Sequence, residues 1–222
     1  SDNGFYVSTA LDIADGGSLT TDSQFSLRQW APGLPFILSA YVLIWGPGVQ
    51  LGVLWGLTLV LMFTGVFSYL LTFATNIKQV TVSTAVALLV IWSFPFTDWI
   101  FGPGYFYSEG ASLAWALLAL LLLVDFRLPP IVRGVAGGAA ITTAAYFKAT
   151  FEFAGLVFVV VALLLTTVCV LRRRLGKSSS TQKVSKSLSN FVMVCAAITF
   201  LLLTLPWRMW SDANLYQDRW TW

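Results

Sequence analysis

The chain has 222 residues, of which 57% are apolar and 15% aromatic, whereas only 10% are charged. Because an average soluble domain carries about 25% charged residues, this composition cannot cover a water-facing surface, which argues against a soluble enzyme, a disordered segment and a nucleic-acid-binding protein. The net charge of +3 comes from one short loop. We therefore expect an all-α, polytopic transmembrane helical bundle.

Residue usage also restricts the chemistry. The chain has no histidine, which excludes an imidazole base, haem ligation and the usual zinc sites within it. Both cysteines, Cys169 and Cys195, lie in apolar runs and are interpreted as packing residues. Catalysis would then rest on carboxylates, Lys, Arg, Tyr or a carboxylate-held metal ion. The start at Ser1, with no apolar segment before it, predicts an N-terminally truncated fragment of a longer protein.

The first predicted elements lie outside the bilayer. Apolar and polar residues recur at helical spacing over Tyr6–Asp15, and Gly16-Gly17 ends that helix. Ser1 or Asp2 would cap its start. The next apolar stretch, Leu34–Trp45, is bracketed by prolines and is shorter than the roughly 20 residues that a span needs, which is typical of an interfacial helix. Residues 1–48 are therefore predicted to form an external loop with interfacial helices.

Six later stretches are long and apolar enough, or nearly so, to cross a bilayer. They make up the predicted transmembrane bundle over residues 49–207, and residues 208–222 begin a further external loop. The six spans are Val49–Ala74, Val80–Thr97, Glu109–Val124, Ile131–Phe147, Phe151–Leu171 and Leu188–Pro206.

The charged residues assign the loops to sides of the membrane. With Leu34–Trp45 interfacial, one side collects nine of the 13 Lys and Arg residues, and the other collects nine of the ten acids. The positive-inside rule makes the basic side cytoplasmic, so any active site lies on the acidic, extracytoplasmic side of a multi-pass protein, such as one of the bacterial inner or plasma membrane. If Leu34–Trp45 spanned instead, Ser1–Gly33 would share the cytoplasm with the Arg172–Arg174 loop.

An ordered series of residues in the first external segment resembles a known family. An acid just outside a span is followed by an aromatic residue, an Ala-containing helix ending in Gly-Gly, a Pro-Gly-x-Pro and an apolar helix ending in Trp-Gly. This order resembles the first external loop of GT-C superfamily glycosyltransferases, which include protein O-mannosyltransferases and lipid A aminoarabinose transferases. The matching residues are Asp2, Tyr6, Ala10, Gly16, Gly17, Pro32, Gly33, Pro35 and Gly46.

The resemblance covers nearly the whole chain, from just after the family's first span. Tyr107-Ser108-Glu109 opens a span, Lys148 follows a Gly/Ala-rich one, and Pro206-Trp207-Arg208 closes the last. The sequence departs from the family at Asn3, where many relatives have a second acid beside the first, which puts a paired-carboxylate metal site in doubt. The family's first span and C-terminal part are also missing.

Such enzymes are expected to move a sugar from a polyprenyl-phosphate donor to an acceptor on a glycan, lipid or protein. The acceptor must lose a proton as it attacks, which requires a general base. The resemblance implies that Asp2 is that base and that Glu109 is a second catalytic carboxylate, which orients the acceptor. An open alternative is that Glu109 and Asp98 hold a divalent metal ion with Asp2. No other cofactor is expected, and the plainer roles are helix capping for Asp2 and interaction with the helix dipole for Glu109.

The leaving phosphate needs cations near the membrane surface, and external aromatic side chains could stack on a sugar. Snorkelling to lipid headgroups and an aromatic belt are the corresponding structural roles. The spacing of Lys148 and Glu152 also allows an ordinary i,i+4 ion pair. The candidate substrate-binding residues are Tyr6, Arg28, Tyr105, Tyr107, Lys148, Glu152 and Arg208.

Two other function classes are consistent with a polytopic membrane protein. A transporter or flippase for a lipid-linked glycan should carry charges deep within several spans, whereas the charges here lie near span ends. A non-catalytic assembly subunit would use the aromatic loops as protein contacts. Release of free polyprenyl phosphate would favour transfer over both.

Overall fold

The computed structural model describes residues 2–16, 32–48, 50–75, 84, 108–148, 150–174 and 180–215. All regular structure in these ranges is helical and none of it is strand, which confirms the all-α prediction. The helices are α1 (Asp2–Ala14), α2 (Gly33–Trp45), α3 (Gln50–Thr75), α4 (Ser108–Val124), α5 (Pro130–Phe147), α6 (Thr150–Arg174) and α7 (Ser180–Leu215).

The first two helices end close to glycines that have a positive φ angle. Helix α1 begins at Asp2, one of the two residues predicted to cap its start, and ends at Ala14, shortly before Gly16, whose φ is 76°. Helix α2 stops at Gly46, whose φ is 79° and whose backbone N–H donates to the Val42 carbonyl. Because glycine adopts positive φ without a steric penalty, both helices end as a glycine C-terminal cap predicts.

Four of the predicted spans coincide with helices α3 to α6 to within a few residues. The span Val80–Thr97 lies outside the described residues apart from Thr84, which is helical. Helix α7 is longer than predicted, because it starts at Ser180 and continues through Pro206 to Leu215. Lys and Gln in its first turns are good helix formers, and proline within a membrane helix is tolerated where neighbouring groups satisfy the freed backbone.

Two described helical stretches, Gln50–Phe73 and Asn190–Met209, are long and apolar enough to cross a membrane. Helices α2 and α4 are apolar but shorter. Helix α3 shows the surface that such a role needs, because its packed face buries Trp55 and Phe63 while Leu57 and Leu61 are exposed on other faces. A helix that is apolar all round suits a lipid environment and not water.

The chain divides into two compact units. The first comprises residues 1–114, 146–148 and 210–222, and within it α1 packs on α2 and α2 on α3. The ring of Trp55 lies 5.9 Å from that of Phe147, next to Lys148. Gly33 allows α2 to begin against the end of α5, since a Cβ there would stand 2.7 Å from the Tyr146 carbonyl oxygen. The end of α5 therefore meets both the start of α2 and Trp55 of α3 in this unit.

The second unit comprises residues 115–145 and 149–209, and small residues set its helix packing. A Cβ on Gly134 would overlap Cys195 and the carbonyl of Val192, and one turn later a Cβ on Gly138 would overlap the carbonyl of Ala196. Residues later in α5 therefore contact residues later in α7, so these two helices run parallel. Gly155 of α6 instead lies against Phe200 and Glu152 pairs with Arg208, which makes α6 antiparallel to α7.

A charged hairpin joins α4 to α5 in the second unit. Asp125 is 2% exposed and accepts hydrogen bonds from the backbone N–H and guanidinium of Arg127, at 2.8–3.0 Å. Arg133, also buried, donates to the Leu123 carbonyl and lies 4.4 Å from the ring centre of Phe126. Because buried charges are costly unless paired and hydrogen-bonded, this network fixes the turn.

Candidate functional site

An ion pair joins two of the predicted site residues within the first unit. Glu109 lies in the first turn of α4, and Lys148 directly follows the last residue of α5. The Lys148 Nζ donates to Glu109 Oε1 at 2.5 Å. The side chains remain 48% exposed for Glu109 and 31% exposed for Lys148. The pair therefore links two helix ends while staying accessible to a ligand.

Ser108 and Tyr6 connect the first external helix to this pair. The Ser108 hydroxyl lies 3.4 Å from the other carboxylate oxygen of Glu109 and donates to it. The Tyr6 hydroxyl lies 3.5 Å from the Ser108 hydroxyl, and both residues are buried. Tyr6, Glu109 and Lys148, three predicted site residues from separate segments, are thus brought together. Sequence reasoning did not single out Ser108, although a hydroxyl residue at the first position of a helix, just before an acid, is the available signal.

Glu109 lies at a helix end, outside the two described stretches that are long and apolar enough to cross a membrane, and its charge state follows from its neighbours. Burial raises the pKa of the Glu109 carboxyl, but hydrogen bonds from Lys148, from its own backbone N–H and from Ser108, with the positive charge of Lys148, outweigh burial and hold the pKa below its usual value. The carboxylate is therefore ionised at neutral pH, and the pair with Lys148 carries no net charge.

A second ion pair lies within the second unit. The Arg208 guanidinium of α7 donates to Glu152 in the first turn of α6, and the Glu152 side chain is only 17% exposed. Glu152 thus pairs with Arg208 and Lys148 with Glu109, whereas the i,i+4 spacing had also allowed Lys148 and Glu152 to pair with each other. The reason is local, because α5 ends at Phe147 and α6 begins at Thr150, so Lys148 does not share a continuous helix with Glu152.

The remaining candidates stay predictions. Asp2 is the first residue of α1, one helical turn before Tyr6, and its side chain lies outside the part of the chain that the structure describes. Arg28, Asp98, Tyr105 and Tyr107 lie outside it altogether. Among the described residues no group of three or more Asp, Glu, Cys or His side chains could hold a metal ion, and the metal site with Asp2 and Asp98 involves residues beyond that set.

Comparisons of the chain with protein-family models, with curated proteins and with solved structures give no match. The case for a function therefore rests on the residues and on the geometry described above.

Proposed function

We propose that this chain belongs to a multi-pass membrane glycosyltransferase of the GT-C type. It would transfer a sugar from a polyprenyl-phosphate donor to a glycan, lipid or protein acceptor on the extracytoplasmic face. The observation that carries the proposal is the convergence of Tyr6, Glu109 and Lys148, from three segments far apart in sequence, on one accessible cluster.

The cluster contains the groups that this reaction needs. Breaking the bond between sugar and phosphate leaves an anionic phosphate, which a fixed cation stabilises as the charge develops. Lys148 supplies that cation at the end of an apolar helix. The attacking acceptor loses a proton, so carboxylates are needed beside it. Glu109 is one such carboxylate, and Asp2, one turn before Tyr6 on the same helix, is the proposed general base.

In the proposed bilayer arrangement six helices cross the membrane. Two of them are the described helices that are long and apolar enough to do so, and the other four are proposed. The helix directions support this arrangement, since α5 and α7 run parallel and α6 runs against α7, as alternating spans require. Within the first unit, the start of α4, the end of α5 and helix α1 meet, which is consistent with the side that the charge pattern makes extracytoplasmic.

The proposal is tested with the intact protein in proteoliposomes and a radiolabelled polyprenyl-phosphate sugar. The measured quantity is the release of free polyprenyl phosphate that accompanies sugar transfer. Asp2→Asn is expected to lower the rate by roughly 100-fold or more, as loss of a general base does. Asp12→Asn is the matched control, because it removes an exposed acid from the same helix, and it is expected to leave the rate unchanged.

Three results would count against the proposal. Equal rates for the Asp2 and Asp12 variants would remove Asp2 from the mechanism. Movement of labelled lipid across the membrane without release of polyprenyl phosphate would indicate a flippase. Binding of the donor with neither transfer nor movement would indicate an assembly subunit.

A further inference from the structure

We propose that the Glu109–Lys148 ion pair is a latch that the phosphate of the lipid-linked donor opens. In the structure, the Glu109 carboxylate is paired with the Lys148 ammonium group, which is the cation that a phosphate would bind. A bound phosphate replaces Glu109 as the partner of Lys148, and Glu109 can then accept a hydrogen bond from the acceptor hydroxyl. This inference rests on the proposed function and adds an order of events to it, in which the donor must bind before the acceptor is oriented.

The exposure of the pair makes such competition feasible. Both side chains are partly open, at 48% and 31%, so a phosphate can reach Lys148 without unfolding the helix ends. Exposed ion pairs contribute little, and the donor phosphodiester, which carries one negative charge as a carboxylate does, forms charge-assisted hydrogen bonds of the same kind with an ammonium group. Exchanging the carboxylate for the phosphate at Lys148 therefore costs little.

The neighbours of Glu109 indicate what happens after the exchange. One carboxylate oxygen contacts Lys148, while the other accepts from Ser108, which in turn contacts the buried Tyr6. Losing Lys148 as a partner leaves this second anchor in place, so the freed carboxylate keeps its position. Because Lys148 is a main cause that lowers the pKa of Glu109 and burial raises it, release makes the carboxylate a stronger acceptor for a hydroxyl proton.

The latch predicts that one substitution at the site strengthens phosphate binding instead of weakening it. Removing the competing charge with Glu109→Gln should tighten phosphate binding, because the Glu109 carboxylate then no longer competes for the Lys148 ammonium group. The expected gain is about two- to fivefold, the range that an exposed ion pair allows. Lys148→Met should weaken binding, and Glu109→Gln should give no gain when Lys148 is already replaced by Met.

The measurement is calorimetric titration of the intact protein in detergent micelles with methyl farnesyl phosphate, a singly charged phosphodiester like the proposed donor. Farnesol tests the contribution of the lipid tail, and inorganic phosphate tests whether the anion alone suffices. Asp12→Asn is the matched control for loss of a negative charge elsewhere in the same unit. Size-exclusion chromatography and circular dichroism confirm that each variant is folded, and Glu109→Asp, with its shorter reach, should give an intermediate gain.

The latch is supported if Glu109→Gln binds methyl farnesyl phosphate more tightly, the gain disappears in the double variant and Asp12→Asn behaves as the wild type. It is overturned if Glu109→Gln binds equally or more weakly, if Asp12→Asn gives the same gain, or if the wild type binds neither phosphate. Failure of the proposed function is a separate result. A wild type without transferase activity whose Glu109→Gln variant binds more tightly overturns the proposed function and the order of events, and it keeps only the competition between Glu109 and phosphate for Lys148; an active wild type without that gain overturns the latch alone.

Discussion

The parallel packing of α5 on α7 can be tested with one methyl group. A Cβ on Gly138 would stand 2.9 Å from Thr199 Cβ and 3.0 Å from Ala196 Cα, and closer still to the Ala196 carbonyl oxygen. These are atoms of a helix backbone or fixed to it, so Gly138→Ala forces the two helices apart. Overpacking of this kind costs about 1–3 kcal/mol, offset by about 0.5–1 kcal/mol from replacing a helical glycine. We therefore expect a net loss of up to about 2.5 kcal/mol.

The matched control is Gly65→Ala in α3, where a Cβ would meet no described atom within 4 Å. That change should be neutral or stabilising by up to about 1 kcal/mol. The free energies of unfolding are compared in mixed micelles with increasing dodecyl sulfate, followed by circular dichroism. A Gly138→Ala protein as stable as the Gly65→Ala protein would refute the close approach of α5 and α7.

Two further predictions concern the ion pairs. Arg208→Met should lower the free energy of unfolding by about 1–3 kcal/mol, because Glu152 is largely buried and loses its partner. Lys148→Met should lower it by at most about 1 kcal/mol, since its pair is exposed. The same unfolding assay would contradict this ranking if Lys148→Met lowered the free energy of unfolding more than Arg208→Met. Because the pKa of Glu109 is lowered in the folded protein, its contribution to stability is fully present above the unfolded carboxyl pKa of about 4.3 and is lost as the pH falls through the folded value. The stability difference between the wild type and Glu109→Gln should therefore shrink between pH 6 and the acid range, and a difference independent of pH would contradict that assignment.

The helices were largely predictable because they depend on local features. Apolar length, bracketing prolines and terminal glycines predicted α2 almost to the residue, and they also located α3 to α6. The extension of α7 through Pro206 was not predictable in the same way. A proline ends a helix in water but is tolerated where neighbouring groups satisfy the freed carbonyl, so the outcome depends on surroundings that the sequence does not display.

The composition of the site was predictable, but its pairing was not. The sequence identified Tyr6, Glu109 and Lys148 as candidates on one side of the membrane, and the structure brings them together. The sequence also allowed an i,i+4 ion pair between Lys148 and Glu152, which requires one continuous helix. The break between α5 and α6 removes that condition. Partners 39 and 56 residues apart in sequence are set by tertiary packing, which residue spacing alone does not encode.

The two ion pairs share one design and differ in one property. In each, an acid in the first turn of a helix meets a cation carried by another helix or lying just beyond its end, Glu109 with Lys148 and Glu152 with Arg208. Acids are favoured at helix N-termini by the helix dipole, so dipoles alone explain why the acids stand there. Exposure separates the pairs, because an acid that is 17% exposed is committed to holding α6 on α7, whereas one that is 48% exposed can exchange its partner for a ligand. The two cations are about equally exposed, at 31% for Lys148 and 33% for Arg208, so the acids alone distinguish the pairs. Under the proposed function, Arg208→Met should lower stability more than Lys148→Met does, and Lys148→Met should weaken the binding of a lipid phosphate more than Arg208→Met does.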